Sequence, residues 1–250
     1  MQEYSKTYYV GAGECNPEGE MPLTMLLNCV IDVASLHANS WNIGYERLIS
    51  ENTVWVLSRV TVEMEHYPQV NTQCTFTTWI EGYNRYFSQR NVMITNEQGA
   101  VLGYVRTIWM IINFSTRERV DISHFTDLTM RISQRPCPIE PISRLRPIEG
   151  NVVGQHTFGY VDCDSNRHIN TLRYLEVLMN QFTLDFNDAM MVHRLELAFM
   201  RESRYGECVD IQRHDVTPTD IHFALSTAGQ EHLRARFLWT PRATASSVES

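Results

Sequence analysis

The chain has 250 residues, of which 43% are hydrophobic and 20% charged, with a formal net charge of −8. That length holds one large domain or two small ones, each able to bury a core. The absence of any run of like charges excludes a nucleic-acid arm or a polybasic membrane segment. No stretch approaches the roughly 18 apolar residues of a membrane span, and Met1 to Gly13 lacks the cationic start and apolar run of a secretory leader. The six cysteines (Cys15, Cys29, Cys74, Cys137, Cys163, Cys208) form no C-x-x-C pair. Free thiols in a reducing cytoplasm are therefore expected, rather than disulfides or zinc.

The first helix is expected from Pro22, because Leu23, Leu26, Leu27, Val30, Ala34 and His37 recur at three- and four-residue spacing. It should end between Asn39 and Gly44. Alternation then predicts strands at Thr53 to Glu65, Cys74 to Glu81, Tyr86 to Thr95 and Val101 to Phe114, the last two joined by the turn Asn96-Glu97-Gln98-Gly99. Arg135 to Pro147 holds Pro136, Pro138, Pro141 and Pro147. Prolines at that density oppose regular ladders and predict an extended linker across the surface. A second helical stripe follows in Leu172, Leu175, Met179, Phe182 and Phe186, then strands at Arg194 to Glu202, Cys208 to His214, Ile221 to Thr227 and His232 to Thr240, with Gly229 in the final turn.

The order is therefore helix and four strands, linker, helix and four strands, which reads as an internal duplication. One helix cannot cover both faces of a sheet, so each half is expected to wrap its long sheet around its own helix, with the two sheets side by side. The fold class is α+β, a double hotdog. The expected units are residues 1–134, a linker at 135–149, residues 150–240, and a disordered tail at 241–250.

The densest polar stretch is Tyr160 to Asn170, directly before the second helix. Asp164, Asn166 and His168 are spaced by two, so in an extended backbone they face one side. The helix that follows offers unpaired N–H groups and a partial positive charge. A carboxylate, an amide and an imidazole beside such a helix start suit thioester hydrolysis, where water must lose a proton and an oxyanion must be held. Capping explains one or two of these residues equally well. Calcium is rejected, because an EF-hand loop opening at Asp162 would need glycine and glutamate where Arg167 and Arg173 stand. A transition metal lacks further ligand spacing. Glu202, in the segment Met200-Arg201-Glu202-Ser203, reads on its own as a solvated strand-end carboxylate. There is no G-x-S-x-G, H-E-x-x-H, Walker A or G-x-G-x-x-G sequence.

The run Asp162 to Tyr174 (DCDSNRHINTLRY) resembles the signature of the acyl-ACP thioesterases known from plants and bacteria, with Asp164, Asn166, His168 and Asn170 on its polar positions. Met200 to Ser203 (MRES) is similar to that family's second segment and sets Glu202 on its catalytic glutamate. Trp55 to Arg59, Tyr67-Pro68, Thr78-Trp79 and Gly103 to Asn113 look like its first repeat. The resemblance implies a catalytic cluster of Asp164, Asn166, His168 and Glu202. It also implies substrate contacts from Asn170, Arg167, Trp55 and Leu27, and an acyl tunnel shaped by the first helix. No metal or cofactor is implied, and the partner is an acyl carrier protein, with neither nucleic acid nor a membrane span. The family often has cysteine where this chain has Ser203, which favours direct attack by water. Because the carrier is acidic, docking is expected on local arginines: Arg135, Arg144 and Arg146 in the linker, and Arg167, Arg173 and Arg204 near the site. Hotdog units pair, so a homodimer is compatible, although two repeats can satisfy that pairing within one chain. The alternatives are an acyl-CoA thioesterase, a hotdog hydratase or dehydratase, and a non-catalytic acyl-thioester binding protein.

Overall fold

The structure, a computed structural model, describes residues 2–123, 131–141 and 143–242. Residue 142 of the expected linker and residues 243–250 of the expected tail lie outside them.

Strand β1 (Glu3–Tyr9) precedes helix α1 (Leu23–Asn39), the short helix α2 (Tyr45–Ser50) and strands β2 (Thr53–Met64), β3 (Gln73–Tyr83), β4 (Ser88–Asn96) and β5 (Val101–Asn113). After the irregular connection come β6 (Asn151–Thr157), α3 (Thr171–Met179), α4 (Leu184–Ala189), β7 (Met190–Phe199), β8 (Cys208–Thr217), β9 (Asp220–Thr227) and β10 (Gln230–Pro241). All ten strands form one sheet in the order β1-β3-β4-β5-β2-β7-β10-β9-β8-β6. The order is the same when each half is read from its outer edge to the middle. Each half thus has five strands rather than four, the addition being an edge strand, β1 or β6. The second apolar stripe is also not one helix. It divides at Asn180 into α3 and α4, and Phe182 in the turn between them stacks on Phe186 and lies tilted against Trp239.

The expected pairing of the two sheets occurs at β2 and β7, which run antiparallel with Thr61 opposite Glu196 and Glu63 opposite Arg194. Charges fix that register. Arg194 reaches Glu63 at 2.5 Å and Glu196 at 2.8 Å, and Glu196 is almost fully buried. A buried carboxylate without a cation would be costly, so a slipped register is disfavoured. Helix α1 buries Leu23, Leu26, Leu27, Val30, Val33, Ala34 and His37 against the sheet and α3. Each large side chain so buried contributes roughly 1.5–3 kcal/mol.

The duplication extends to individual hydrogen bonds. Before α1, the Asn16 amide donates to the Glu20 carbonyl, Gly19 to the Asn16 carbonyl, and Glu20 to Asn16 Oδ1. Before α3, Asp164 donates to the His168 carbonyl, Arg167 to the Asp164 carbonyl, and His168 to Asp164 Oδ1. Gly19 and Arg167 hold the same left-handed backbone, with φ of 75° and 62°. Next, Met21 donates to the Pro68 carbonyl as Ile169 donates to that of Ser203, and Glu65 to Leu102 as Met200 to His232. These pairs align Glu18 with Asn166, Glu20 with His168, and Tyr67 with Glu202.

Candidate active site

The loop before α3 and the end of β7 open onto one cleft of about 850 Å³, completed by α1 (Asn28, Ile31), the bulged stretch Val54 to Ser58 of β2, and Trp109, Met110 and Ile112 of β5. Asp164, Asn166, His168, Asn170, Trp55 and Glu202 all line it. The carboxylate of Glu202 and the imidazole of His168 face each other, with Oε2 to Nε2 at 3.8 Å.

Local bonding explains the placement. Asp164 Oδ1 accepts from the amides of Asn166 (2.8 Å) and His168 (3.1 Å), so this carboxylate folds its own loop. Asn170 Oδ1 accepts from Leu172 N at 2.9 Å and is the N-cap of α3. Glu202 sits between two clamps. On one side the Met200 amide bonds to the His232 carbonyl; on the other, the Ser203 peptide donates to the Tyr174 hydroxyl at 2.7 Å and accepts from Ile169 N at 3.0 Å.

Arginine 117 was not among the residues singled out from sequence. It lies in the turn after β5, where Asn113 Oδ1 accepts from the amides of Ser115 and Thr116, and Arg117 itself adopts φ of 62°. From there it crosses between repeats and pairs with Glu202 Oε1. Glu202 is thereby shared between a guanidinium of the first repeat and an imidazole of the second. Nothing in the spacing of Arg117 signals this contact, which exists only once the two repeats pack.

A second polar group lies beneath the cleft wall. Ser203 Oγ is 2.7 Å from His232 Nδ1, and His232 Nε2 is 3.4 Å from Glu207 Oε1. Burial holds the His232 pKa below its ordinary value, against the pull of Glu207. Ser203 and His232 are both fully buried and neither lines the cleft, so this trio presents no hydroxyl to a substrate there. Cys163 is half-buried with Sγ toward the Gly159 carbonyl, and Cys208 is exposed on β8.

The other expected contacts separate. Arg167 is exposed beside the cleft without lining it, and Leu27 is buried in the main core and lines neither the cleft nor the inner cavity. Trp55 and Trp109 line both the cleft and a smaller apolar cavity of about 40 Å³, formed with Ala34, Ala38, Ile43 and Ile80 inside the first repeat. Arg90 closes it, held by His37 Nδ1 at 3.0 Å and Thr78 Oγ1 at 3.2 Å, its pKa pushed down to about 10 by burial. Of the expected docking arginines, Arg135 pairs with Glu3 and Arg173 with Glu176. Among the described residues, Arg144, Arg146, Arg167 and Arg204 have no carboxylate within ion-pair distance.

Two family models match this chain: the acyl-ACP thioesterase N-terminal domain over residues 1–126 and the acyl-ACP thioesterase C-terminal domain over residues 147–241. A crystal structure of an acyl-ACP thioesterase from Bacteroides thetaiotaomicron superposes with a TM-score of 0.90 at 26% identity, covering 96% of this chain and 98% of that one. The 12:0-ACP thioesterase of Umbellularia californica shares the fold, with a TM-score of 0.84 at 18% identity over 97% of this chain and 98% of its own. The chloroplastic palmitoyl-acyl carrier protein thioesterase of Gossypium hirsutum is 20% identical over 276 residues, which is 98% of this chain and 65% of that relative. This chain thus spans about two thirds of that relative's length.

Proposed function

This chain belongs to the acyl-ACP thioesterase family, and we propose that its cleft hydrolyses fatty acyl thioesters carried on acyl carrier protein, by direct attack of water. The observation that carries this reading is the approach of His168 and Glu202 to 3.8 Å on one cleft wall, with Arg117 holding the far oxygen of that carboxylate. Water in the cleft loses its proton to Glu202, assisted by His168. Asn166 and the Thr171 amide at the start of α3 hold the oxygen that gains charge. Asp164 acts as a positioning residue, since its carboxylate is spent on the loop's own amides. The departing thiolate, with a thiol pKa of about 8.5, needs little help from an acid.

The acyl chain enters past Trp55 and Trp109 towards the inner cavity of the first repeat. The carrier docks beside Arg167 and Arg204, where Tyr160, Val161 and Tyr205 are strongly exposed. The nearby carboxylates are already engaged: Asp162 with the Gly159 amide, Asp164 with its loop, Glu202 with Arg117, and Glu207 with the Arg204 amide. Arg167 and Arg204 have no ion-pair partner among the described residues, so both guanidiniums are available to an acidic partner. No helix among the described residues is long and apolar enough to cross a membrane. A cytoplasmic location is proposed separately, on the scattered cysteines of the sequence. The β2–β7 pairing already joins two repeats within the chain, so a homodimer would use another surface.

The test is release of free thiol from acyl-ACP and acyl-CoA substrates of graded length. Glu202→Gln should lower kcat by about 10²–10⁴-fold with the fold intact. A wild-type protein that consumes no thioester, or a Glu202→Gln protein of normal rate, overturns the proposal.

A further inference from the structure

The inner cavity of the first repeat is not apolar throughout. Ser88 and Arg90 stand two residues apart on β4 and so share one face, and both line the cavity that Trp55 and Trp109 have in common with the cleft. Arg90 is only 5% exposed, yet among the described residues no carboxylate lies within ion-pair distance of it. Its hydrogen bonds run from Nη1 alone, to His37 Nδ1 at 3.0 Å and Thr78 Oγ1 at 3.2 Å. A guanidinium can only donate, so His37 accepts with a neutral ring and brings no counter-charge. Glu81, on the neighbouring strand β3, is engaged by Arg106 and Asn91. Arg131 adds a second guanidinium, 4.9 Å from the Trp41 ring that Arg90 approaches at 5.7 Å. Burial lowers the Arg90 pKa to about 10, which leaves it a cation at neutral pH. Nε and Nη2 of Arg90 and the Ser88 hydroxyl make no hydrogen bond among the described residues, and all three keep accessible surface.

A buried cation with open donors and no counter-ion is costly beside a wall of Ala34, Ala38, Ile43 and Ile80. A volume of about 40 Å³ admits roughly three water-sized groups at about 10–15 Å³ each, so the cavity takes the last few heavy atoms of a chain. A methyl end would strip water from the guanidinium and return no hydrogen bond. An end carrying oxygen would accept from Arg90 and Ser88. A carboxylate there would also supply the missing charge, in the planar pairing that a guanidinium favours.

We infer that this cavity receives acyl chains whose distal end carries an oxygen acceptor, a carboxylate ahead of a hydroxyl, and that Arg90 is the residue that selects them. The assignment deepens the thioester reading and rests on its path for the acyl chain past Trp55 and Trp109. The probes are alkyl thioethers of pantetheine, which cannot be hydrolysed, in graded lengths and ending in methyl, hydroxyl or carboxylate. Binding to the full chain is read from tryptophan fluorescence, since two indoles line the cavity. At the length that reaches Arg90, the carboxylate-ended probe should bind roughly 10–100-fold more tightly than the methyl-ended one, with the hydroxyl between them. Arg90→Met keeps a side chain of similar reach without its charge and should reverse that order, and Arg90→Lys should restore it in part. A wild-type protein that binds the methyl-ended probe at least as tightly as the carboxylate-ended one at every length overturns the inference, whether or not the variants fold. An order unchanged in a folded Arg90→Met protein overturns it as well. Failure of the cleft chemistry would appear separately, as no thiol release from the matching thioesters while the order of binding stands.

Discussion

Asp164 offers a clean separation between holding a loop and taking part in chemistry. Its Oδ1 accepts from two amides, at 2.8 and 3.1 Å, in a half-buried loop. Each such bond is worth about 0.5–1.5 kcal/mol net, so Asp164→Ala should destabilise the loop by about 2 kcal/mol. In a chain of this size that lowers Tm by roughly 4–8 °C. Loss of both anchors also frees Arg167 from its left-handed conformation, which other residues rarely hold without support. His168 and Asn166 would then lose their places, and kcat should fall about 100-fold with little change in KM. The first repeat supplies the control. Asn16 makes the same bond to the Glu20 amide with an uncharged side chain, at 2.8 Å. Asp164→Asn keeps the acceptor and should therefore recover most of both stability and turnover. The assays are thermal unfolding and steady-state thiol release on the three proteins. An Asp164→Asn protein as stable as wild type yet as inactive as Asp164→Ala would refute the positioning role, because the charge alone would then be at work.

Three further outcomes follow from the geometry. Arg167→Glu and Arg204→Glu should each raise KM for carrier-bound substrate by roughly twofold to fivefold, as expected for exposed charge pairs; the effect should fade with added salt, and an equal change with an acyl-pantetheine substrate would contradict carrier docking there. Trp109→Ala should widen the passage to the inner cavity and shift turnover to longer acyl chains, and an unchanged chain-length profile would show that the acyl chain takes another path. His232 is buried with its pKa depressed, facing Ser203, Glu207 and Arg201. The unfolded chain therefore binds its proton more readily than the folded one, so the stabilisation is present above about pH 6.5 and is lost as pH falls below it. Thermal unfolding between pH 8 and pH 5 should show that decline, flattened in His232→Gln.

Which elements were legible follows from where they lie. Strands such as β5 and β10 alternate between buried and less buried positions over much of their length, and that leaves an alternating pattern in the sequence. The edge strands do not. Glu3–Tyr9 and Asn151–Thr157 are half-buried or exposed throughout, and Lys6 and Gly154 interrupt any apolar run. An edge strand is held by one ladder and needs no second apolar face. The split between α3 and α4 was hidden because Phe182, in the turn, packs into the same aromatic group as Phe186. At the site, spacing indicated which residues share the loop, since it is a local property. It could not say that the Asp164 carboxylate turns back onto its own loop, nor that Arg117 meets Glu202, because the first is decided by turn geometry and the second by packing between repeats. Leu27 was readable as buried, but which side of α1 faces a cavity rather than solid core is not written in a helical stripe.

The shared backbone also explains how one chain keeps two such loops while only one carries a base and an imidazole. The loop makes two demands: an acceptor at its first position, met by Asn16 or Asp164, and a residue tolerating positive φ at its fourth, met by Gly19 or Arg167. Side chains at the third and fifth positions are free to change without cost to that framework. In the first repeat those changes cancel reactivity, because Arg242 engages Glu20 and Tyr67 is committed to a backbone carbonyl. In the second, Glu202 is held from the far side by Arg117, and His168 stands at 3.8 Å with its loop anchored by Asp164. Both loops thus receive an arginine from the other repeat, and the asymmetry is in what it holds: Arg242 occupies the residue at the imidazole position, whereas the partner of Arg117 is the carboxylate itself. Arg117 ties the carboxylate of one repeat to the sheet of the other, so the reactive geometry exists only when both halves are paired along β2 and β7. A repeat separated from its partner would keep the loop and lose the orientation of its carboxylate.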